Sequence, residues 1–204
     1  MDERRAHWES VYENKAPDEV SWHQARAETS LALIERAGVA LDSPVIDVGG
    51  GASTLVDGLL AAGFTDLTVL DLSESALEYA RRRLGHRADE VTWRQGDITR
   101  VELGRTYALW HDRAVFHFLV DEADRARYRA LLHASVAPGD HVIVATFAHD
   151  GPERCSGLPI VRYTPELLLE ALGPGLVLEE SVGEDHQTPS GKVQRFVVCR
   201  FRRV

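Results

Sequence analysis

Basic residues are outnumbered in this chain: 23 Lys+Arg stand against 32 Asp+Glu, a formal net charge of −9. That balance lacks the basic footprint of a nucleic-acid-binding protein. Only two cysteines occur, Cys155 and Cys199, too few for a disulfide framework or a four-ligand zinc site. No apolar run approaches the roughly 18 residues that a membrane span needs. The opening Met1-Asp2-Glu3-Arg4-Arg5 has no apolar stretch behind it, so it does not read as a signal peptide. There is no internal repeat, low-complexity tract or linker. These absences predict a cytoplasmic protein, monomer or homodimer, with no resident metal, no nucleic acid and no membrane partner. What is present is ample material for a core: 204 residues, 44% hydrophobic and 27% charged, expected to form one domain over residues 1–204.

Hydrophobic runs alternate with helical patterns. The spacing predicts helices over 2–14, 29–37, 53–62, 73–84 and 121–136, and another opening at Thr164-Pro165-Glu166 with a capping residue and Pro in the first turn. Trp8 and Tyr12, four apart, share one face of the first. Gly38 and Gly63 mark helix ends, and Ser73 is a cap. Strands are predicted over 44–48, 67–71, 91–95, 106–110 and 141–147. Two more, 176–182 and 193–201, are joined by a connection over 183–192. Strands alternating with helices imply a parallel sheet covered on both faces, and a two-strand ending puts an antiparallel strand into it. The fold class is therefore α/β, a Rossmann-like, doubly wound, mostly parallel sheet.

The strongest local signal is Val45-Ile46-Asp47-Val48-Gly49-Gly50-Gly51. The glycines allow a tight turn from strand to helix and close approach of a ligand to the backbone. Asp71 follows twenty residues after Gly51, at the end of the second strand, where an acid accepts hydrogen bonds from ribose hydroxyls. Two cofactor classes fit. A dinucleotide wants a third glycine where Thr54 stands. S-adenosylmethionine carries a cationic amine and a sulfonium, and an acid such as Asp47 just before the glycines suits it better.

With Asp47-Val48-Gly49-Gly50-Gly51, Asp71-Leu72-Ser73, Gly96-Asp97-Ile98 and Pro138-Gly139-Asp140-His141 in order, the sequence resembles a class I S-adenosylmethionine-dependent methyltransferase. The motifs span roughly residues 40–150. The resemblance implies seven strands with the last antiparallel, and a cofactor-binding core over 39–150. It implies an N-terminal helical lid over 1–38, and a substrate-side loop, helix and strand pair over 151–204. It implies that Gly49, Gly50 and Gly51 hold the methionine end, Asp71 the ribose with Leu72 beside the adenine, and Asp97 the adenine amino group with Ile98 at the ring face. His111 would lie where cofactor and substrate meet. Trp22, with Trp8 and Tyr12, either contacts the cofactor as part of the lid or packs the helix onto the sheet edge.

Methyl transfer aligns an acceptor with an activated methyl group, and a base is needed only when the acceptor holds a proton. The candidates at the end of the fourth strand are His111 (cofactor contact or base), Asp112 (orienting group or amine binder) and Arg113 (partner of a substrate carboxylate or of Asp112). Cys155 sits on a Gly/Pro-framed loop, and His186 lies between the last two strands. If the connection folds back, the two form a pair, either for a soft substrate or metal or as a loop-stabilising hydrogen bond. His117 reads as a packed ring rather than a base. The chain lacks the Asn/Asp-Pro-Pro-aromatic motif of amino-group nucleic-acid methyltransferases and a Cys-rich arsenite-binding set. Apolar residues after the fourth and fifth strands, among them Phe116, Phe118, Leu119, Leu158, Ile160 and Tyr163, suit a closed pocket for a small-molecule substrate with an S, N or O acceptor. The alternatives are a protein lysine methyltransferase and a non-catalytic cofactor-binding protein. Trp8-x-x-x-Tyr12 and Asp112-Arg113 resemble small elongation-factor lysine methyltransferases, from which Ala114-Val115-Phe116-His117 departs.

Overall fold

The computed structural model describes residues 3–14, 16 and 19–204. Asp2 of the first predicted helix and Pro17 of the following loop lie outside the described residues. Helix α1 (Glu3–Asn14) precedes α2 (Glu28–Ala37). Then come β1 (Val45–Val48), α3 (Leu55–Ala62), β2 (Leu67–Asp71), α4 (Glu74–Leu84), β3 (Val91–Gln95), β4 (Leu109–Arg113), α5 (Glu122–Ser135) and β5 (His141–Phe147). A short hairpin, β6 (Arg154–Cys155) and β7 (Leu158–Pro159), leads to α6 (Pro165–Leu172), β8 (Leu176–Gln187) and β9 (Val193–Arg203).

Seven strands form one sheet in the order β3-β2-β1-β4-β5-β9-β8. All neighbours pair in parallel except β9, which runs antiparallel to β5 and to β8. The expected Rossmann-like sheet with its antiparallel C-terminal strand is what forms. The strand order reverses between β1 and β4, and open α/β sheets bind ligands at such a switch point, beyond the carboxyl ends of the strands.

Each face carries its own core. Trp110, Tyr128, Leu132, Leu168, Leu172 and Phe201 fill one, under α5 and α6. Leu33, Leu55, Leu59, Leu109, Ile143 and Phe196 fill the other, under α2 and α3. Alternate residues of β4 and β5 serve opposite cores, because side chains alternate along a strand. The local signals act as read: Gly38 and Gly63 end their helices in the left-handed region, at φ 69° and 96°, and Ser73 Oγ accepts from Ala76 N at 3.1 Å.

Two boundaries differ from the sequence expectation. The fourth strand lies three residues later than 106–110, so His111, Asp112 and Arg113 are in it rather than after it. The connection expected over 183–192 shrinks to a turn, closed by Thr188 N donating to Lys192 O at 2.8 Å. Residues 183–187 are too polar to signal a continuation of the strand expected over 176–182. They extend it because β8 is an edge strand, with one row of backbone groups paired to β9 and alternate side chains in water.

Candidate active site

The three glycines hold the centre of the site through what their missing side chains leave room for. A Cβ on Gly49 would meet Val115 Cγ2 at 2.0 Å, one on Gly50 would meet Asp47 Oδ2 at 2.5 Å, and one on Gly51 would meet Asp71 Oδ2 at 2.5 Å. Gly49 also turns at φ +69°, a conformation L residues rarely adopt. The loop thus lets two carboxylates close in on its backbone.

Asp47 is buried and holds only half its hydrogen-bonding capacity. Its Oδ1 lies 2.7 Å from His111 Nδ1, which donates to it, while Oδ2 is buried with no partner. The other ring nitrogen of His111, Nε2, lies 2.9 Å from Ser30 Oγ on α2. Both nitrogens are engaged, so the ring acts as a strut between α2 and Asp47. Asp71, half-buried, accepts from Ser73 N at 2.8 Å through Oδ1. Burial, with the charge of nearby Asp47, pushes its carboxyl up to about 7.

His111 and Arg113 point to the α2 face of the sheet, and Asp112 to the other. Asp112 is fully buried, accepts from Val115 N (3.0 Å), Phe116 N (3.3 Å) and Tyr128 Oη (2.7 Å), and lines neither cavity of the site. Tyr128 Oη in turn accepts from Trp110 Nε1 at 2.9 Å. Burial raises the Asp112 carboxyl to about 6 despite these bonds. It shapes the 114–118 turn from behind.

Arg113 does not pair with Asp112. It donates to Glu184 Oε1 (2.9 Å) and to Trp22 O (3.2 Å), and it lies over the Phe196 ring at 4.4 Å. Its Nε is buried and unpartnered. Arg113 therefore straps residues 20–24 across the sheet edge. His186 Nε2 fastens the same strap by donating to Ser21 O at 2.8 Å. Cys155 is buried against Ser21 too, its thiol pushed up to about 11 by burial. The Cys155–His186 pairing expected from sequence is thus indirect: the two side chains meet at Ser21, and only Cys155 lines a cavity. His117 is buried, and its Nδ1 accepts from Phe147 N at 3.2 Å; burial, then Arg113, holds it down at about 3.

Helix α1 covers this edge. Glu9 is its latch, accepting from Ser73 Oγ (2.9 Å), Glu74 N (2.8 Å) and Ser75 N (3.2 Å) at the N-terminus of α4. These bonds hold its carboxyl below the usual range although burial opposes them. Trp8 meets Trp22 and Phe118 edge to face at 5.6 and 5.0 Å, and Trp22 Nε1 donates to Tyr12 Oη at 3.2 Å.

Two adjoining cavities result. The larger, about 790 Å³, has Leu70, Asp71, Leu72, Gly96, Asp97 and Ile98 in its wall at the β2 and β3 ends. Beyond β4 its wall is Trp8, Tyr12, Trp22, Val115, Phe118 and Cys155. Asp97 accepts from Thr99 N and Oγ1 and faces Arg4 at 3.5 Å. The smaller, about 500 Å³, is bordered by Asp47, Gly49, Gly50, Thr54, His111 and Arg113. The sequence reading missed Ser30, Glu9 and Tyr128, whose partners lie 81, 64 and 16 residues away; no local pattern announces such pairs.

A doubly wound sheet with paired acids around a glycine turn at its switch point has the geometry that suits a nucleoside-bearing cofactor. Residues 45–139 match the family model described as a methyltransferase domain. Those residues include the glycine turn, Asp71 and Asp97 by which the sequence resembles class I S-adenosylmethionine-dependent methyltransferases. No curated protein matches it in sequence. Among solved structures, it is similar to a protein studied for the conversion of a disulfide bond into a thioacetal group during echinomycin biosynthesis (18% identity, TM-score 0.79, 98% of this chain and 93% of that one). It is also similar to a methyltransferase from Anabaena variabilis ATCC 29413 (17%, 0.73, 98% and 95%). A third is the N-methyltransferase NodS from Bradyrhizobium japonicum WM9 with S-adenosyl-L-homocysteine (18%, 0.72, 96% and 97%). At such identities the likeness is one of fold.

Proposed function

We propose that the protein methylates a small molecule, with S-adenosylmethionine held across both cavities. The observation that carries this reading is the roof: α1 and the strap over residues 20–24 close an aromatic cavity directly above the switch point. A roofed cavity walled largely by apolar and aromatic side chains suits a compact substrate.

The residues present fit the cofactor. In the smaller cavity, one buried acceptor without a partner, Asp47 Oδ2, and one buried donor without a partner, Arg113 Nε, match an ammonium and a carboxylate. Unsatisfied buried groups are costly, and a zwitterionic ligand satisfies both. Asp71 would take the ribose hydroxyls, Leu72 and Ile98 the adenine faces, and Asp97 the adenine edge beside Arg4. Gly49, Gly50 and Gly51 bring the backbone close, and Trp22 stands where the two cavities meet. Bound there, the cofactor supplies a methyl group on a sulfonium, a cation that aromatic faces attract.

The remaining residues position these. His111 holds Asp47 so that Oδ2 faces the ligand. Asp112 fixes the turn that carries Val115 and Phe118. Arg113 and His186 fasten the strap, and Cys155 contributes to the wall. Trp8, Tyr12 and Phe118 exclude water from the reacting end.

The test is transfer of labelled methyl from S-adenosylmethionine into a cell extract split into protein and small-molecule fractions. Label in the small-molecule fraction supports the proposal. Label confined to a protein band replaces it with the lysine methyltransferase reading, and cofactor binding without transfer to either fraction points to a binding protein.

A further inference from the structure

We propose that Arg4 is a specificity residue for the cofactor: together with Asp97 it reads the edge of the adenine, so that α1 recognises the base as well as roofing the site. This rests on the cofactor placement above, with the base against Asp97. Arg4, Trp8 and Tyr12 follow one another at intervals of four on α1, and all three line the larger cavity, because side chains at that spacing share one helix face. Trp8 and Tyr12 cover the aromatic end, while Arg4 faces Asp97. Two carboxylates set its guanidinium. Asp124 on α5 accepts from Nη2, and Nη1 lies 3.5 Å from Asp97 Oδ2. The second distance is too long for a good hydrogen bond, so the two groups stand side by side. Asp97 is held independently, since Thr99 N (2.8 Å) and Thr99 Oγ1 (2.7 Å) both donate to its Oδ1. Its side chain is only 11% exposed, and Oδ2 accepts no hydrogen bond from the described residues. The cavity wall therefore offers a fixed acceptor, Asp97 Oδ2, beside a fixed donor, Arg4 Nη1.

Adenine carries the complement. Its amino group is a donor, and the ring nitrogens on either side, N1 and N7, are acceptors. Asp97 suits the amino group, and Arg4 then suits one of the flanking nitrogens. A carboxylate alone accepts from any amino group on a base, whereas the added donor demands an acceptor next to it. A guanidinium carries five N–H donors in one plane, so a bond to Asp124 and one to the base are compatible. Hypoxanthine breaks the match. Its carbonyl oxygen meets the Asp97 carboxylate, and its N1 carries a hydrogen that cannot accept from Arg4. A site built to hydrogen-bond one ligand rejects another that leaves its polar groups unpaired. Arg4 gives α1 a contact to the cofactor at the end opposite its aromatic pair.

The experiment measures, by calorimetry with the full chain, the binding of three ligands that differ only in the base. They are S-adenosylhomocysteine, S-inosylhomocysteine (oxygen for the amino group, hydrogen on N1) and S-tubercidinylhomocysteine (carbon for N7). The native protein should prefer S-adenosylhomocysteine to S-inosylhomocysteine by about 100-fold or more. Arg4→Met keeps an unbranched stem and removes the donors. It should weaken S-adenosylhomocysteine about tenfold. That loss should shrink below about twofold for one analogue: S-inosylhomocysteine if Arg4 donates to N1, S-tubercidinylhomocysteine if it donates to N7. A residue that only anchors α1 would weaken all three ligands alike, so an equal loss across them overturns the proposal. The absence of any loss overturns it as well. Asp97→Asn separates the two readings: if it also leaves S-adenosylhomocysteine affinity unchanged, the base lies elsewhere and the cofactor placement falls with the proposal.

Discussion

Cofactor affinity should fall as the pH drops below about 7, and Asp71 should be the cause. In the free protein, burial and the Asp47 charge raise the Asp71 carboxyl to about 7. Hydrogen bonds from two ribose hydroxyls favour the ionised form, so binding must expel the proton. The sign follows: a ligand that prefers the carboxylate binds fully above the free-protein pKa and loses affinity as pH falls through it. At pH 6 about one tenth of Asp71 is ionised, so the dissociation constant should be about tenfold weaker than at pH 8. At pH 7 binding should release about half a proton, measurable by calorimetry in two buffers of different ionisation enthalpy. Asp71→Asn separates this carboxyl from Asp47 and Glu9, which also face it. The amide keeps the shape but loses charge-assisted bonds of about 1.5–3 kcal/mol. Affinity at pH 8 should drop about 10- to 150-fold, and the slope between pH 6 and 8 should vanish. A flat profile in the native protein, or the same slope in Asp71→Asn, would refute the argument.

Three further outcomes are expected. Tyr128→Phe strands two buried groups, Asp112 Oδ2 and Trp110 Nε1, and should cost about 2–4 kcal/mol in urea denaturation; a loss below about 1 kcal/mol would show the pair relaxes. Gly50→Ala puts a Cβ at 2.5 Å from Asp47 Oδ2 and 2.8 Å from Val69 Cγ1. It should weaken cofactor binding by at least about tenfold while circular dichroism still reports the native fold. Glu9→Gln removes a negative charge from the α4 N-terminus and should loosen α1 by about 0.5–1 kcal/mol, seen as faster proteolysis within the first twenty residues. Because the Glu9 carboxyl is held low, the native latch should persist above the ordinary glutamate range and weaken only as pH falls below it.

Much of the fold and part of the site are legible in the order of residues alone. Asp47, the glycine turn and Asp71 identify themselves by spacing, because a strand–turn–helix places an acid at a fixed distance from a cofactor. The sheet and its antiparallel strand follow from the alternation of apolar runs. His111, Asp112 and Arg113 can be picked out as a group but not told apart. Their roles depend on where β4 begins, and a shift in that register changes which side chains face the site.

Local chemistry therefore determined the sheet, the turn and the acids proposed to hold the cofactor. Tertiary structure decided what each remaining polar group does. It set His111 between Asp47 and Ser30, turned Asp112 away to Tyr128, and sent Arg113 to Glu184. It brought Cys155 and His186 to Ser21 rather than to each other, and latched α1 through Glu9 onto α4. The physical reason is that backbone periodicity is encoded among near neighbours. A buried polar group must instead find a partner wherever the packed chain provides one.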